Sequence, residues 1–148
     1  MKFLITGAVT CAESLLKELE NFSSFEEYKN ANKDNLIDKS LSEYLCELIS
    51  ERNLSKSEVI RKSELNENYA YQLFSGLKKS PQRDKLICLS VGMGLSIEET
   101  NSLLKLAGLL PLYPRTKRDS IIIMNINAHK SVIEINEALY ENNEETLN

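Results

Sequence analysis

What this chain lacks narrows its chemistry before any motif is found. In 148 residues there is no tryptophan, one histidine, three cysteines, three prolines and five glycines. So few glycines and prolines argue against a turn-rich sheet protein and for helices. Cys11, Cys46 and Cys88 lie far apart with no C-x-x-C pair, and His129 stands alone, so the clustered four-ligand spacing of a zinc site is absent. An odd number of cysteines fits a reducing compartment better than a disulfide framework. Cys46 and Cys88 sit among apolar helical neighbours and are expected in the core, while His129, near a predicted helix end, is expected to be structural or exposed. There is no phosphate-binding glycine loop and no Ser-His or Cys-His pairing signal, so neither an enzyme nor a cofactor is expected. No apolar run reaches the ~20 residues of a membrane span.

Hydrophobic residues make up 42% of the chain and charged residues 27%, which places it among globular proteins and against wholesale disorder. The length fits one domain, long enough to bury roughly 70% of the unfolded surface. The segment from Met1 to Cys11 has the outline of a secretion signal, but its apolar stretch is short and interrupted and only one base precedes it. A cytoplasmic location is therefore expected. Net charge is −4, but the charge is unevenly spread. From Arg52 to Lys85 eight bases (Arg52, Lys56, Arg61, Lys62, Lys78, Lys79, Arg83, Lys85) face four acids (Glu58, Glu64, Glu67, Asp84), a local balance of +4.

Helix starts punctuate the chain. Six pairs have the capping-box spacing, a Ser or Thr followed three residues later by Glu: Thr10/Glu13, Ser24/Glu27, Ser40/Glu43, Ser55/Glu58, Ser96/Glu99 and Ser131/Glu134. In such a box the hydroxyl accepts from a first-turn amide and the Glu reaches back to the cap amide. The boxes and the apolar periodicity predict an all-α fold with helices over about 11–21, 25–31, 41–52, 56–63, 67–75, 83–93, 97–107, 117–128 and 132–140. Residues 1–39 read as a helical arm, 40–110 as a bundle, and 111–148 as a helical extension with a polar tail that frays. The arm's Leu15, Leu16, Leu19 and Phe25 are expected to pack against the bundle. Gly76, Gly94 and Gly108 end helices, and Leu109-Leu-Pro-Leu-Tyr-Pro114 is a rigid connector.

Residues 54–81 hold the most informative pattern, two short helices joined by a tight turn and followed by a basic loop. That is the layout of a helix-turn-helix, whose second helix enters the DNA major groove. Val59 and Ile60 face inward from the first helix, Leu65 plugs the turn, Asn66 caps the second helix, and Ala70, Leu73 and Phe74 face inward from it. Ala70 is small enough to let helices cross closely. Glu67, Asn68, Tyr69, Tyr71 and Gln72 remain outside. Asn and Gln can bind an adenine edge with two hydrogen bonds, and Glu can accept from a cytosine amino group. Lys56, Lys78, Lys79 and Arg83 are candidates for phosphate.

Leu54-Ser-Lys-Ser-Glu-Val, the Leu65 turn, Leu73-Phe-Ser-Gly76 with Lys78, Pro81 and the run Leu86-Ile-Cys-Leu-Ser-Val-Gly-Met-Gly-Leu-Ser-Ile-Glu-Glu resemble the Xre/Cro-type helix-turn-helix family, including the phage lambda repressor domain. The likeness covers about Leu41 to Gly108. It implies a five-helix bundle with flanking helices, and DNA contacts at Lys56, Glu67, Asn68, Tyr71 and Lys78. Glu64 stands where that family has its turn glycine, so a left-handed Glu is expected there. Ile60 stands in place of a small alanine, and the second helix carries no Arg or Lys.

The expected function is a sequence-specific transcriptional regulator that binds double-stranded DNA. A homodimer is expected, because paired half-sites multiply weak contacts. The apolar faces Ile121–Met124 and Val132/Ile135/Ala138/Leu139 need covering by the same chain or by a second subunit. The rival reading is an antitoxin-like adaptor, in which the same scaffold binds a protein partner. The acidic start of the second helix and the overall acidity favour it.

Overall fold

The computed structural model describes residues 12–32 and 39–148, and the chain divides into two compact units, 1–38 and 39–148. The segment from Met1 to Cys11, which includes Thr10, and the residues 33–38 lie outside the described residues. Within these residues the fold is all-helical, and no helix is long and apolar enough to cross a membrane.

The first unit contains α1 (Ala12–Leu19) and α2 (Phe25–Ala31). Ser24 caps α2 by accepting from the Glu27 amide, and Phe22 meets Tyr28 edge-on at 5.5 Å. Leu16, Leu19 and Phe25 are exposed. Helices of eight and seven residues offer no room to bury them within the unit.

The second unit comprises α3 (Leu41–Glu51), α4 (Lys56–Ser63), α5 (Glu67–Ser75), α6 (Arg83–Met93), α7 (Ile97–Leu106), α8 (Lys117–Asn127) and α9 (Val132–Glu141). Its helix starts follow the local code. Ser40, Ser55, Ser96 and Ser131 each accept from the amide three residues on. Ser96/Glu99 and Ser131/Glu134 close the reciprocal box, whereas the Glu58 carboxylate turns to Arg61.

Packing is centred on α6, which touches α4, α7 and α9; α3 and α4 both pack on α5, and α8 joins α7 to α9. Leu86, Ile87, Cys88 and Leu89 of α6 are fully buried, so this helix is apolar around most of its circumference, as a central helix must be. The tightest contact lies at Gly92. A Cβ there would come within 2.5 Å of the Val59 carbonyl oxygen and 3.0 Å of the Ser63 amide nitrogen on α4. Ala70 is buried as expected, but the glycine on α6 governs the closest approach.

Two expectations need correction. Cys46 is exposed, not core, while Cys88 is buried. Leu41, Tyr44, Leu45 and Leu48 form the buried stripe of α3, and the next residue after Leu45 is turned about 100° from it. Burial pushes the Cys88 thiol up to about 12, leaving it no thiolate at neutral pH. The expected fraying after Tyr140 does not occur. Leu147 is buried, Arg118 donates to the carbonyls of Glu145 and Thr146, and the Asn136 side chain accepts from the Leu147 amide at 2.7 Å. One apolar anchor and several polar ties hold this segment, since Asn148 Nδ2 also reaches the Glu64 carbonyl at 3.2 Å and its Oδ1 accepts from Asn136. On the apolar faces of α8 and α9, which either the same chain or a second subunit could cover, Ile121, Ile122, Val132, Ile135 and Leu139 are buried, while Met124 is exposed.

Glu64 ends α4 in the left-handed region at φ 59°. Gly92→Ala should lower the unfolding free energy by about 1–3 kcal/mol, the usual cost of overpacking. Glu64→Gly should raise it by roughly 0.5 kcal/mol, strain relief being partly offset by the freer unfolded glycine. Urea titrations of the two variants against the parent chain check both.

Candidate nucleic-acid interface

The outer side of the α4–α5 pair is built by register. In α5, Ala70, Leu73 and Phe74 point into the core, which turns Glu67, Asn68, Tyr71 and Ser75 outward. The Asn66 side chain caps the helix by accepting from the Tyr69 amide at 3.1 Å. Glu67 falls in the first turn, where the helix dipole favours an acid. Lys56, Asn68, Tyr71, Gln72, Phe74 and Ser75 together line a depression of about 420 Å³. Four of the candidate residues therefore share one surface.

Two lysines of this region are held over rings. Lys56 Nζ lies 5.1 Å from the centre of the Phe74 ring, and Lys78 Nζ lies 6.0 Å from that of Tyr69. Both are within cation–π range, worth about 0.5–1 kcal/mol at exposed sites. Gly76 closes α5 at φ 88°, and the Lys78 amide returns to the Gln72 carbonyl at 3.1 Å. That turn fixes where Lys78 leaves the helix, and Lys79 follows it into solvent. Tyr69 is half-buried, and burial raises its hydroxyl despite the neighbouring Gln82 amide. It is a platform for Lys78 more than a free contact.

Arg83 is placed differently. Its guanidinium forks onto Asp119 at 3.2 and 2.7 Å and donates to the carbonyls of Leu110 and Pro111. The bidentate geometry a phosphate needs is thus already taken by a carboxylate, and Arg83 serves the bundle. Its neighbour Asp84 receives a second fork, from Arg118 at 3.1 and 3.0 Å. Two adjacent residues of α6 thereby grip two adjacent residues of α8 with opposite charge order.

Phe74 and Ser75 were not singled out as site residues by the sequence pattern. Phe74 has the spacing of a core residue, and its second role under Lys56 depends on a contact between two helices. No protein-family model, curated protein or solved structure matches this chain.

Burial alone would raise the Asp119 carboxyl. The Arg83 bond, the Tyr113 amide at 2.9 Å and the charges of Arg83 and Arg118 hold it below the usual carboxylate range. A depressed folded-state value contributes stability above the unfolded value and loses it as pH falls through the folded one. Asp119→Asn should therefore cost about 2–3 kcal/mol at pH 7, since it leaves a largely buried guanidinium without its counter-charge. The gap from the parent chain should narrow below about pH 4, which denaturant melts at pH 7 and pH 3 would measure.

Proposed function

We propose that α4 and α5 form a helix-turn-helix of the Xre/Cro type within a bundle like that of the phage lambda repressor, and that the chain is a cytoplasmic, sequence-specific transcriptional regulator. It binds double-stranded DNA and reads the major groove with α5. The observation that carries this reading is the single surface shared by Lys56, Asn68, Tyr71 and Gln72, with Lys78 and Lys79 exposed at the end of α5. Nine residues of helix span about 13 Å, and the major groove is about 12 Å wide. The amides of Asn68 and Gln72 then meet base edges, Tyr71 meets bases or sugar, and Glu67 accepts from a cytosine amino group. The lysines at either end supply the phosphate contacts that give affinity without sequence information. Two copies bind paired half-sites, the arrangement in which weak single contacts multiply.

The alternative, an antitoxin-like adaptor that captures a protein, is favoured by a specific feature. The first turn of α5 carries Glu67, and no base lies within α5. The two readings part on salt. A DNA regulator loses affinity steeply as salt rises, with a slope of about −0.9 per phosphate contact.

Fluorescence anisotropy with duplexes from upstream of the chain's own gene provides the test. One duplex should bind in preference to unrelated sequence. Lys78→Ala should flatten the salt slope by about one unit without changing which sequence is preferred. Gln72→Ala should weaken the preferred duplex by roughly 10–100-fold, equivalent to about 1–3 kcal/mol, and relax the preference. Indifference to sequence, or no binding at low salt, would overturn the DNA reading.

A further inference from the structure

On another side of the same unit, a groove of about 350 Å³ lies beside the α4–α5 turn, lined by Ile133, Glu137 and Tyr140 of α9, by Glu64 of the turn, and by Thr146 and Asn148. Its far wall is held in place. Asn136 donates to the Asn148 side chain and accepts from the Leu147 amide, and Asn148 Nδ2 ties to the Glu64 carbonyl. Two of its lining residues are large apolar groups in solvent: Ile133 is 53% exposed and Tyr140 is 78% exposed. They lie seven residues apart, two turns of one helix face, so a single partner segment can meet both.

Charge selects the occupant. From Ser131 to Asn148 the chain has five acids (Glu134, Glu137, Glu141, Glu144, Glu145) and no base. Lys130 pairs with Glu134 and Lys117 with Glu144, whereas among the described residues neither Glu64 nor Glu137 takes part in an ion pair. A second copy placed symmetrically on this face would set Glu137 and Glu64 against the same acids of its partner, which like-charge repulsion disfavours. DNA is excluded on the same ground.

We propose that this groove docks a protein partner through a cationic amphipathic helix, one aliphatic or aromatic side chain lying between Ile133 and Tyr140 and its lysines or arginines meeting Glu137 and Glu64. Helix-in-groove recognition uses this combination of spaced apolar anchors and flanking charge. The docking face is distinct from the basic surface on α5, so it stands whether or not α5 reads DNA.

The test uses the full chain, isotope-labelled, with two synthetic fourteen-residue helical peptides. Both carry one leucine face; the other face is lysine in the first and glutamate in the second. Amide shifts of Glu64, Ile133, Asn136, Glu137, Tyr140 and Thr146 should move saturably with the lysine peptide and stay still with the glutamate peptide. Glu137→Lys combined with Tyr140→Ala should weaken binding at least tenfold, both side chains being exposed. Glu137→Gln alone should weaken it about threefold, which covers the case of a double variant that melts early. Shifts spread over other acidic surfaces, equal binding of both peptides, or binding indifferent to both variants would overturn the proposal. So would a concentration-dependent dimer lost in Tyr140→Ala, which assigns the groove to a second copy.

Discussion

The contact between α4 and α6 at Gly92 is the constraint on which the second unit depends. The Val59 carbonyl and the Ser63 backbone occupy the space where any side chain at 92 would begin. A backbone-to-backbone approach of this kind has no rotamer to relax, so it fixes the depth at which α4 sits on α6. Because α5 packs on α4 and α3, the attitude of its outer face follows from that one contact. The small residue sits on the central helix, and the surface it positions is two elements away.

From the same helix the charge pairs extend the order outward. Arg83 and Asp84 hold Asp119 and Arg118, which orients α8 and, through the Leu110 and Pro111 carbonyls, the connector before it. Arg118 then reaches the segment around Thr146, and Asn148 reaches the turn at Glu64. A chain of polar contacts thus leads from α6 through α8 to the turn between α4 and α5. The links made by Arg83 and Arg118 have an ionised donor, the class whose loss costs most when partly buried; the last, from Asn148, is a neutral amide.

The two faces of the unit differ in kind. Around α5, Lys56 stands over Phe74 and Lys78 over Tyr69, and the helix itself offers amides and tyrosines. Along α9 the polar groups are acidic and the exposed anchors apolar. One chain with a net charge of −4 can carry both because the charges are sorted by position. In the proposed readings the α5 face meets a polyanion through its amides, and the α9 face meets a cation with an apolar side.

How much was legible in the sequence follows from the range of each interaction. Helix starts depend on a Ser and the amide three residues on, so their positions could be read directly; Ser55 and Ser96 cap where their spacing indicates. The inward set Val59, Ile60, Ala70, Leu73 and Phe74 follows from the helical period, and the left-handed Glu64 was implied by the resemblance, in which a turn glycine stands at that place. Other features depend on residues far apart in the chain. Cys46 looked apolar among its neighbours but lies off the buried stripe of Leu41, Tyr44, Leu45 and Leu48. Arg83, one base among eight in its segment, is drawn to Asp119, 36 residues away. The segment around Leu147 is polar enough to suggest fraying, yet α8 and α9 supply its partners. Sequence alone determined the helices, their caps and which face of each is apolar, because these are settled within one or two turns. Only the tertiary structure decided which charges are spent inside, which lysines stand on rings and where Gly92 is needed, because each requires atoms from separate helices to meet.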